Sequence, residues 1–273
     1  MKILICNIAI RLEPDTYPPI ACTTLCNVLI KAGYDPIFYN IDVQRPSNEE
    51  LIEFFRKGQF DIVGMSVVVS TGYKYTKDLS SIIKNVSPKT QIILGGNLAA
   101  AYEIILRKCQ IDICVIGEGE RPLLNLVKHL EKYGRFSSDD QSLHEIKGIA
   151  FLDSNHVCRF TGDESYILSD EIQQPDYGLF RKFSGINHYA YDPIKRYDFV
   201  YDPRFSEQRR QGKRVATILT SKGCVNQCSF CHRWVKGYRV IPVEKVISAM
   251  RYLMNEFNVG FFCIGDECFG ENK

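Results

Sequence analysis

Apolar residues in the first half of the chain fall into two textures: short unbroken runs, and longer stretches where they recur every third or fourth position. The runs suit strands buried on both faces, and the stretches suit helices with one apolar stripe. Residues 2–6 read as a first strand, followed by a helix over 19–32 with Leu25, Leu29 and Ala32 on one stripe and Gly33 at its end. A second strand falls near 36–41. Ser47 caps a short helix, with Glu50 three residues later, a spacing at which each side chain accepts the other's backbone N–H. The β-branched run 61–69, interrupted only by Gly64, Met65 and Ser66, is a third strand. A helix over 73–86 is closed by Pro88, a fourth strand over 91–94 runs into Gly95-Gly96, and a helix covers 98–108. A fifth strand spans 111–116, and Gly117-Glu118-Gly119-Glu120 opens a helix to about Tyr133.

Five β-α units with short connections predict an open, doubly wound parallel sheet of the flavodoxin/Rossmann type over 1–134. The unit count and the lack of a dinucleotide fingerprint favour the strand order 2-1-3-4-5. The texture then changes. A polar stretch over 135–141 precedes a β-hairpin, 146–151 with 156–160, turning at Asp153-Ser154-Asn155. Residues 168–213 are rich in Pro, Asp, Tyr and Arg and read as a linker, so hairpin and linker together span 135–213. In the last segment, 214–273, a strand over 215–220 leads to a cysteine-rich loop, a helix over 243–257 and a strand over 260–264. The family resemblance given below implies that these are the first β-α units of an incomplete TIM-type barrel.

Composition narrows the partners. The 273 residues are 45% hydrophobic and 24% charged, with a net charge of +2, so nothing argues for a nucleic-acid surface or an anionic membrane. No apolar run approaches the roughly 18 residues needed to span a bilayer. The apolar start runs into Arg11-Leu12-Glu13-Pro14-Asp15 without a small-residue cleavage site, which fits a buried strand better than a signal peptide. Of eleven cysteines, eight are dispersed singly, as Cys6, Cys26, Cys109 and Cys114 are. That is the pattern of small buried thiols in a reducing cytoplasm, not of a secreted disulfide framework.

The other three cysteines cluster as Cys224-x3-Cys228-x2-Cys231 on a loop that follows a strand. Three thiolates on one short loop can hold three corners of a cubic iron–sulfur cluster and leave the fourth iron open. The carboxyl end of a barrel strand is also where parallel barrels place their chemistry. The alternatives are a zinc site with His232 or Cys263 as fourth ligand, although no second C-x2-C knuckle exists, or three structural thiols.

This spacing, with Phe230 just before the last cysteine, resembles the radical S-adenosylmethionine superfamily. The likeness continues through Gly237-Tyr238-Arg239, Pro242-Val243-Glu244-Lys245-Val246-Ile247 and Phe262-Cys263-Ile264-Gly265-Asp266-Glu267-Cys268-Phe269, and is similar to the cobalamin-dependent branch. The resemblance implies that Cys224, Cys228 and Cys231 ligate a 4Fe–4S cluster whose open iron is chelated by S-adenosylmethionine. It implies that Phe230 lies near the adenine. It puts Gly265, Asp266 and Glu267, as cofactor-binding residues, where the family holds the amino group of its substrate S-adenosylmethionine at the end of the second strand. A flavodoxin or ferredoxin as electron donor, and a small-molecule or peptide substrate, follow from the same likeness.

In the front domain, ligands of such sheets bind at the carboxyl ends of the strands. The candidates are 66–71, including Ser66 and Thr71, then Gly95, Gly96 and Asn97, and then Gly117, Glu118, Gly119 and Glu120. Glycine there lets backbone approach a large ligand. Neither G-x-G-x-x-G nor a P-loop is present, which speaks against NAD and ATP. Together with Pro18-Pro19 and Gly64-Met65-Ser66, these stretches resemble the cobalamin-binding domain that precedes radical domains in this branch. None of His129, His144, His156, His188 or His232 sits in an Asp-x-His-x-x-Gly motif, so the expected cobalt site lacks a histidine ligand. The competing reading is a degenerate domain kept for packing or dimerisation.

His232, Trp234, Arg239 and the basic run 209–214 carry only surface or packing readings, and Cys263 and Cys268 read as core thiols. The resemblance implies a barrel of more β-α units than the two here, so the chain is expected to be an inactive fragment of a longer enzyme. The expected parent reaction is methyl transfer to an unactivated carbon through a 5′-deoxyadenosyl radical. Cobalamin-assisted rearrangement or cyclisation is the second reading, and a non-catalytic cobalamin-binding module the third.

Overall fold

The computed structural model describes residues 1–183, 185–193, 208, 211–226, 228, 229, 231 and 237–270. It divides into two compact units. The first holds 1–15, 21–167 and 230–235, and the second holds 16–20, 168–229 and 236–273.

The first unit is a seven-stranded sheet in the order β2-β1-β3-β4-β5-β6-β7. Strands β1 (Ile3–Asn7), β2 (Ile37–Asn40), β3 (Ile62–Ser66), β4 (Gln91–Gly95) and β5 (Ile113–Val115) are parallel, so the order 2-1-3-4-5 is realised as a doubly wound arrangement. Helices α1 (Ile20–Lys31), α2 (Ile41–Gln44), α3 (Asn48–Gly58), α4 (Tyr73–Val86), α5 (Tyr102–Lys108) and α6 (Glu120–Tyr133) connect them. Ser47 and Glu50 form the expected capping box at the start of α3. Alternate strand residues Leu4, Cys6, Val63, Met65, Ile92 and Leu94 are buried with Leu51, Phe55, Leu79, Ile83 and Ile105 of α3, α4 and α5.

Three local expectations give way to tertiary pairing. The third run stops pairing at Ser66, because Val67 turns to bond Gly95 O through its N–H and Leu98 N through its carbonyl. The fifth strand starts only at Ile113, because the Asp112 carboxylate turns back to accept from Lys84 Nζ and from Ile92 N at 2.6 Å. A single 3-10 turn, Asn97–Ala101, replaces the first part of the helix expected over 98–108. After α7 (Gln141–Glu145) the hairpin forms as read, with β6 (Ile149–Leu152) and β7 (Cys158–Phe160). It does not stand apart in a linker region, however: β6 pairs antiparallel with β5 and extends the front sheet.

In the second unit β8 (Arg214–Ile218) and β11 (Val259–Ile264) are parallel and joined through α9 (Val243–Phe257), as the β-α-β reading required. Two features were not legible. Residues Ser221–Cys224 form β9, paired antiparallel with β10 (Gly237–Val240), and the linker carries α8 (Tyr177–Phe183). The buried Tyr177 hydroxyl accepts from Thr217 N at 2.7 Å and donates to Thr217 O at 3.1 Å, while Tyr191 bridges to Val215. Gln174 likewise bonds both backbone groups of Leu219. The linker thus satisfies the backbone groups that β8 leaves unpaired by β11. Among the described residues no helix is long and apolar enough to cross a membrane.

Candidate functional site

The expected front-domain residues gather along one edge of the sheet, where the parallel strands end. Ser66 and Gly95 are register partners at the ends of β3 and β4. The 3-10 turns Ser70–Gly72 and Asn97–Ala101, which carry Thr71 and Asn97, pack on each other, and the second also touches β5 ahead of Gly117. Thr71 Oγ1 donates to Ile10 O at 3.1 Å and ties the loop after β1 to the loop after β3.

The glycines separate by what a side chain would meet. A Cβ on Gly95 would find only Met65 O, at 4.0 Å, and on Gly117 it would find nothing within 4 Å. Gly96, with φ +83°, would place its Cβ 2.5 Å from Val67 O, so the chain's own crossing demands a glycine there. Gly119 lies against Leu25, and the buried Glu118 accepts from Ile167 N at 2.8 Å. Gly95 and Gly117 are therefore open to a ligand, whereas Gly96, Glu118 and Gly119 answer to packing.

Sequence reading missed the polar ends of the two neighbouring strands. Asn7 and the fully buried Asn40 pair across β1 and β2, with Asn7 Nδ2 donating to Asn40 Oδ1 at 3.0 Å. A polar residue closing each apolar run was the available signal. A groove of about 400 Å³ is lined by Ile10, Arg11, Leu12, Arg45, Pro46 and Tyr75 among others. The buried Asp42 accepts from Arg45 at 2.6 Å and from Asp15 N at 2.7 Å, which fixes the rim. Burial pushes the Tyr75 hydroxyl up to about 12, so it stays a neutral donor. His129 lies away from this edge, near the carboxyl end of α6, with Ser142 Oγ 3.2 Å from its Nδ1.

In the cysteine loop, Cys224 closes β9 and is buried. Its sulfur accepts from Asn226 N at 3.4 Å and from Asn226 Nδ2 at 3.5 Å. Gly223, with φ +87°, abuts the Gly237 carbonyl so closely that any side chain would part β9 from β10. Cys228 and Cys231 are exposed, and Phe230 lies outside the described residues, as do His232 and Trp234. Among the described residues no three His, Cys, Asp or Glu side chains are drawn together at metal-binding distance. The donor set of three thiols, one already held by N–H groups, nonetheless fits a cluster.

At the end of β11, Gly265 N donates to Ile218 O at 2.8 Å, and Tyr17 donates to Gly265 O at 2.8 Å. A Cβ on Gly265 would lie 2.7 Å from both Thr217 Cγ2 and the Tyr17 hydroxyl, so this glycine is set by packing. Asp266 accepts from Thr220 N at 2.8 Å, from Thr220 Oγ1, and from Ser221 Oγ at 2.8 Å. Glu267 is exposed, and so is Cys263, which does not join the core. A groove of about 290 Å³ beside this junction is lined by Tyr238, Val240, Ile241, Val246, Ile247 and Phe269 among others.

Residues 9–127 match the B12 binding domain family. The front domain is a B12-binding domain. Over 257 residues the chain is 32% identical to the anaerobic magnesium-protoporphyrin IX monomethyl ester cyclase of Cereibacter sphaeroides, covering 92% of this chain and 38% of that protein. It superposes on the cobalamin-dependent S-adenosylmethionine radical enzyme OxsB, with aqua-cobalamin and S-adenosylmethionine bound, at a TM-score of 0.70 and 20% identity, over 98% of this chain and 34% of that one. It also superposes on the radical S-adenosylmethionine methyltransferase TsrM from Kitasatospora setae, with cobalamin and a [4Fe-4S] cluster bound, at a TM-score of 0.67 and 17% identity, over 98% and 48%. The resemblance to cobalamin-dependent radical S-adenosylmethionine enzymes thus holds in fold along nearly the whole chain, while the chain spans about a third to a half of the length of these relatives.

Proposed function

We propose that the chain is the cobalamin- and cluster-binding part of a radical S-adenosylmethionine enzyme that transfers a methyl group to an unactivated carbon. The observation that carries this is the coexistence, on one chain, of a B12-binding domain and a strand that leads into Cys224, Cys228 and Cys231. When bound, the cluster with S-adenosylmethionine would supply a hydrogen-abstracting radical, and cobalamin a transferable methyl group. The chain's own part is to hold them. Cys224, Cys228 and Cys231 would ligate the cluster, with Asn226 donating to the Cys224 sulfur. Ser66, Thr71, Gly95, Asn97 and Gly117 would face the corrin along the open sheet edge, on the spacing that Gly96, Glu118 and Gly119 fix from beneath. A flavodoxin- or ferredoxin-type donor would supply the electron.

Ring closure is a second reading, favoured by the 32% identity to a cyclase. Anaerobic reconstitution should load about four iron per chain with broad visible absorbance, as Cys-bound cubic clusters do. Combined Cys224→Ala, Cys228→Ala and Cys231→Ala should abolish both. A protein that instead keeps one tight zinc and refuses iron overturns the proposal. Label from methylcobalamin appearing in product supports methyl transfer. A cyclised product without label supports the second reading, and cobalamin binding without any iron uptake leaves a binding module.

A further inference from the structure

The acidic pair after β11 has two members with different surroundings. Asp266 is half-buried, and both its oxygens are taken by the start of the cysteine loop: Oδ1 by Thr220 N at 2.8 Å, Oδ2 by the hydroxyls of Thr220 and Ser221. The same segment makes two further stitches. Ser221 Oγ also lies 3.1 Å from Cys268 O, so its one proton bridges carboxylate and carbonyl. Asn226 Nδ2, which reaches Cys224 Sγ at 3.5 Å, lies 3.6 Å from Cys268 Sγ as well.

We infer that Asp266 is a positioning residue for the cluster loop rather than a ligand for the amino group of S-adenosylmethionine. This rests on the cofactor reading above. The physical chain is short. Asp266 fixes Thr220 and Ser221, Ser221 begins β9, and Cys224 ends it three residues on, about 10 Å of extended backbone. β10 holds β9 through the Gly223–Gly237 approach, and the Asp266 carboxylate holds its first residue. Charge-assisted bonds to a carboxylate are stronger and more directional than neutral ones, which suits an anchor that must set where a thiolate points. A carboxylate accepting three such bonds has little capacity left for an ammonium group.

The test separates positioning from ligation. In the apo protein, Asp266→Ala should speed hydrogen exchange of the Thr220 amide by about tenfold or more, the scale of losing a bond to a charged partner. In reconstituted protein, iron should pass to a chelator about tenfold faster from Asp266→Ala, a change of the same order. Thr220→Val combined with Ser221→Ala, which leaves the carboxylate in place, should reproduce the faster release. Equilibrium dialysis with S-adenosylmethionine gives the other arm. If Asp266→Ala holds iron like the wild type but loses S-adenosylmethionine, or if the Thr220–Ser221 double variant behaves as wild type, the inference is overturned. If wild-type protein takes up no iron, the cofactor reading fails, and the Thr220 exchange rate alone decides whether Asp266 anchors the loop.

Discussion

Strands of the two units are built by the same β-α-β step, yet they are buried to different depths. In the first unit β1, β3 and β4 are buried along almost their whole length, each flanked by a strand on both sides. In the second, β11 is buried only at Val259 and ends exposed at Cys263 and Ile264. Helix α9 repeats the contrast within itself: Leu253 and Phe257 are buried, while Val243 and Met254 are 65% and 51% exposed. An apolar side chain records a preference for burial, but only neighbours brought in by the fold can remove it from water. The front sheet finds those neighbours within residues 1–167. In the second unit one apolar face of α9 and the outer edge of β11 do not find them among the described residues.

The comparison can be broken first where packing in the front unit is tightest. Gly96→Ala should destabilise the front unit by about 3 kcal/mol, from a left-handed backbone and a clash with Val67 O. Gly95→Ala, one residue earlier, should change stability by no more than about 1 kcal/mol, with either sign. Urea unfolding of residues 1–167 reads both, and equal stabilities would remove the claim that the chain itself demands Gly96. Gly95→Trp should then block hydroxocobalamin while leaving the fold intact, which makes it a cleaner probe of the ligand edge than Gly96.

In the second unit the comparable anchor is a side chain. Tyr177→Phe deletes both bonds to Thr217 and should cost about 2 kcal/mol, with faster exchange of the Thr217 amide as its local signature. An unchanged exchange rate would mean that β8 does not depend on the linker.

A smaller, pH-dependent effect belongs to the front unit. Burial holds His129 below the usual histidine value, and Asp140 Oδ2 at 3.6 Å offsets this only in part. The unfolded chain then binds the proton more readily, so stability is full above about pH 6.5 and falls as pH drops through the folded-state value. His129→Phe should flatten this slope in unfolding measured at neutral and mildly acid pH. A steeper slope would contradict the assignment.

The smallest stability effect, and the clearest test of the unit contrast, lies on α9. Ile247→Lys with Met254→Lys should alter stability by under about 0.5 kcal/mol, because both side chains are exposed. The pair should nevertheless reduce self-association measured by sedimentation, since contiguous apolar surface drives association. Ile104→Lys, at 58% exposure on α5, should leave association unchanged. The reverse result would place the adhesive surface in the front unit.

Much of this was legible in local pattern. The capping box at Ser47 and helices Tyr73–Val86 and Val243–Phe257 follow from periodicity and end signals, and the unit count favoured the order that the first five strands adopt. The cysteine spacing raised the cluster reading that is proposed above. What local pattern could not hold was pairing between distant segments. β6 joining β5, Tyr177 reaching Thr217, and Asn7 meeting Asn40 each link residues more than 30 positions apart.

The sequence by itself determined most of the strands and helices, though not β9, β10 or α8, together with which thiols are grouped and which positions carry glycine or a carboxylate. Only the tertiary structure decided what those glycines and carboxylates are for. Gly95 and Gly96 are adjacent and identical in kind, but one is open and the other is pressed against Val67. Asp266 and Glu267 are equally acidic, but Asp266 is taken up by the backbone and hydroxyls of a loop 46 residues away. Residue type fixes the capacity for an interaction. Which capacity is used depends on which atoms the long-range packing of the chain brings within a few ångströms.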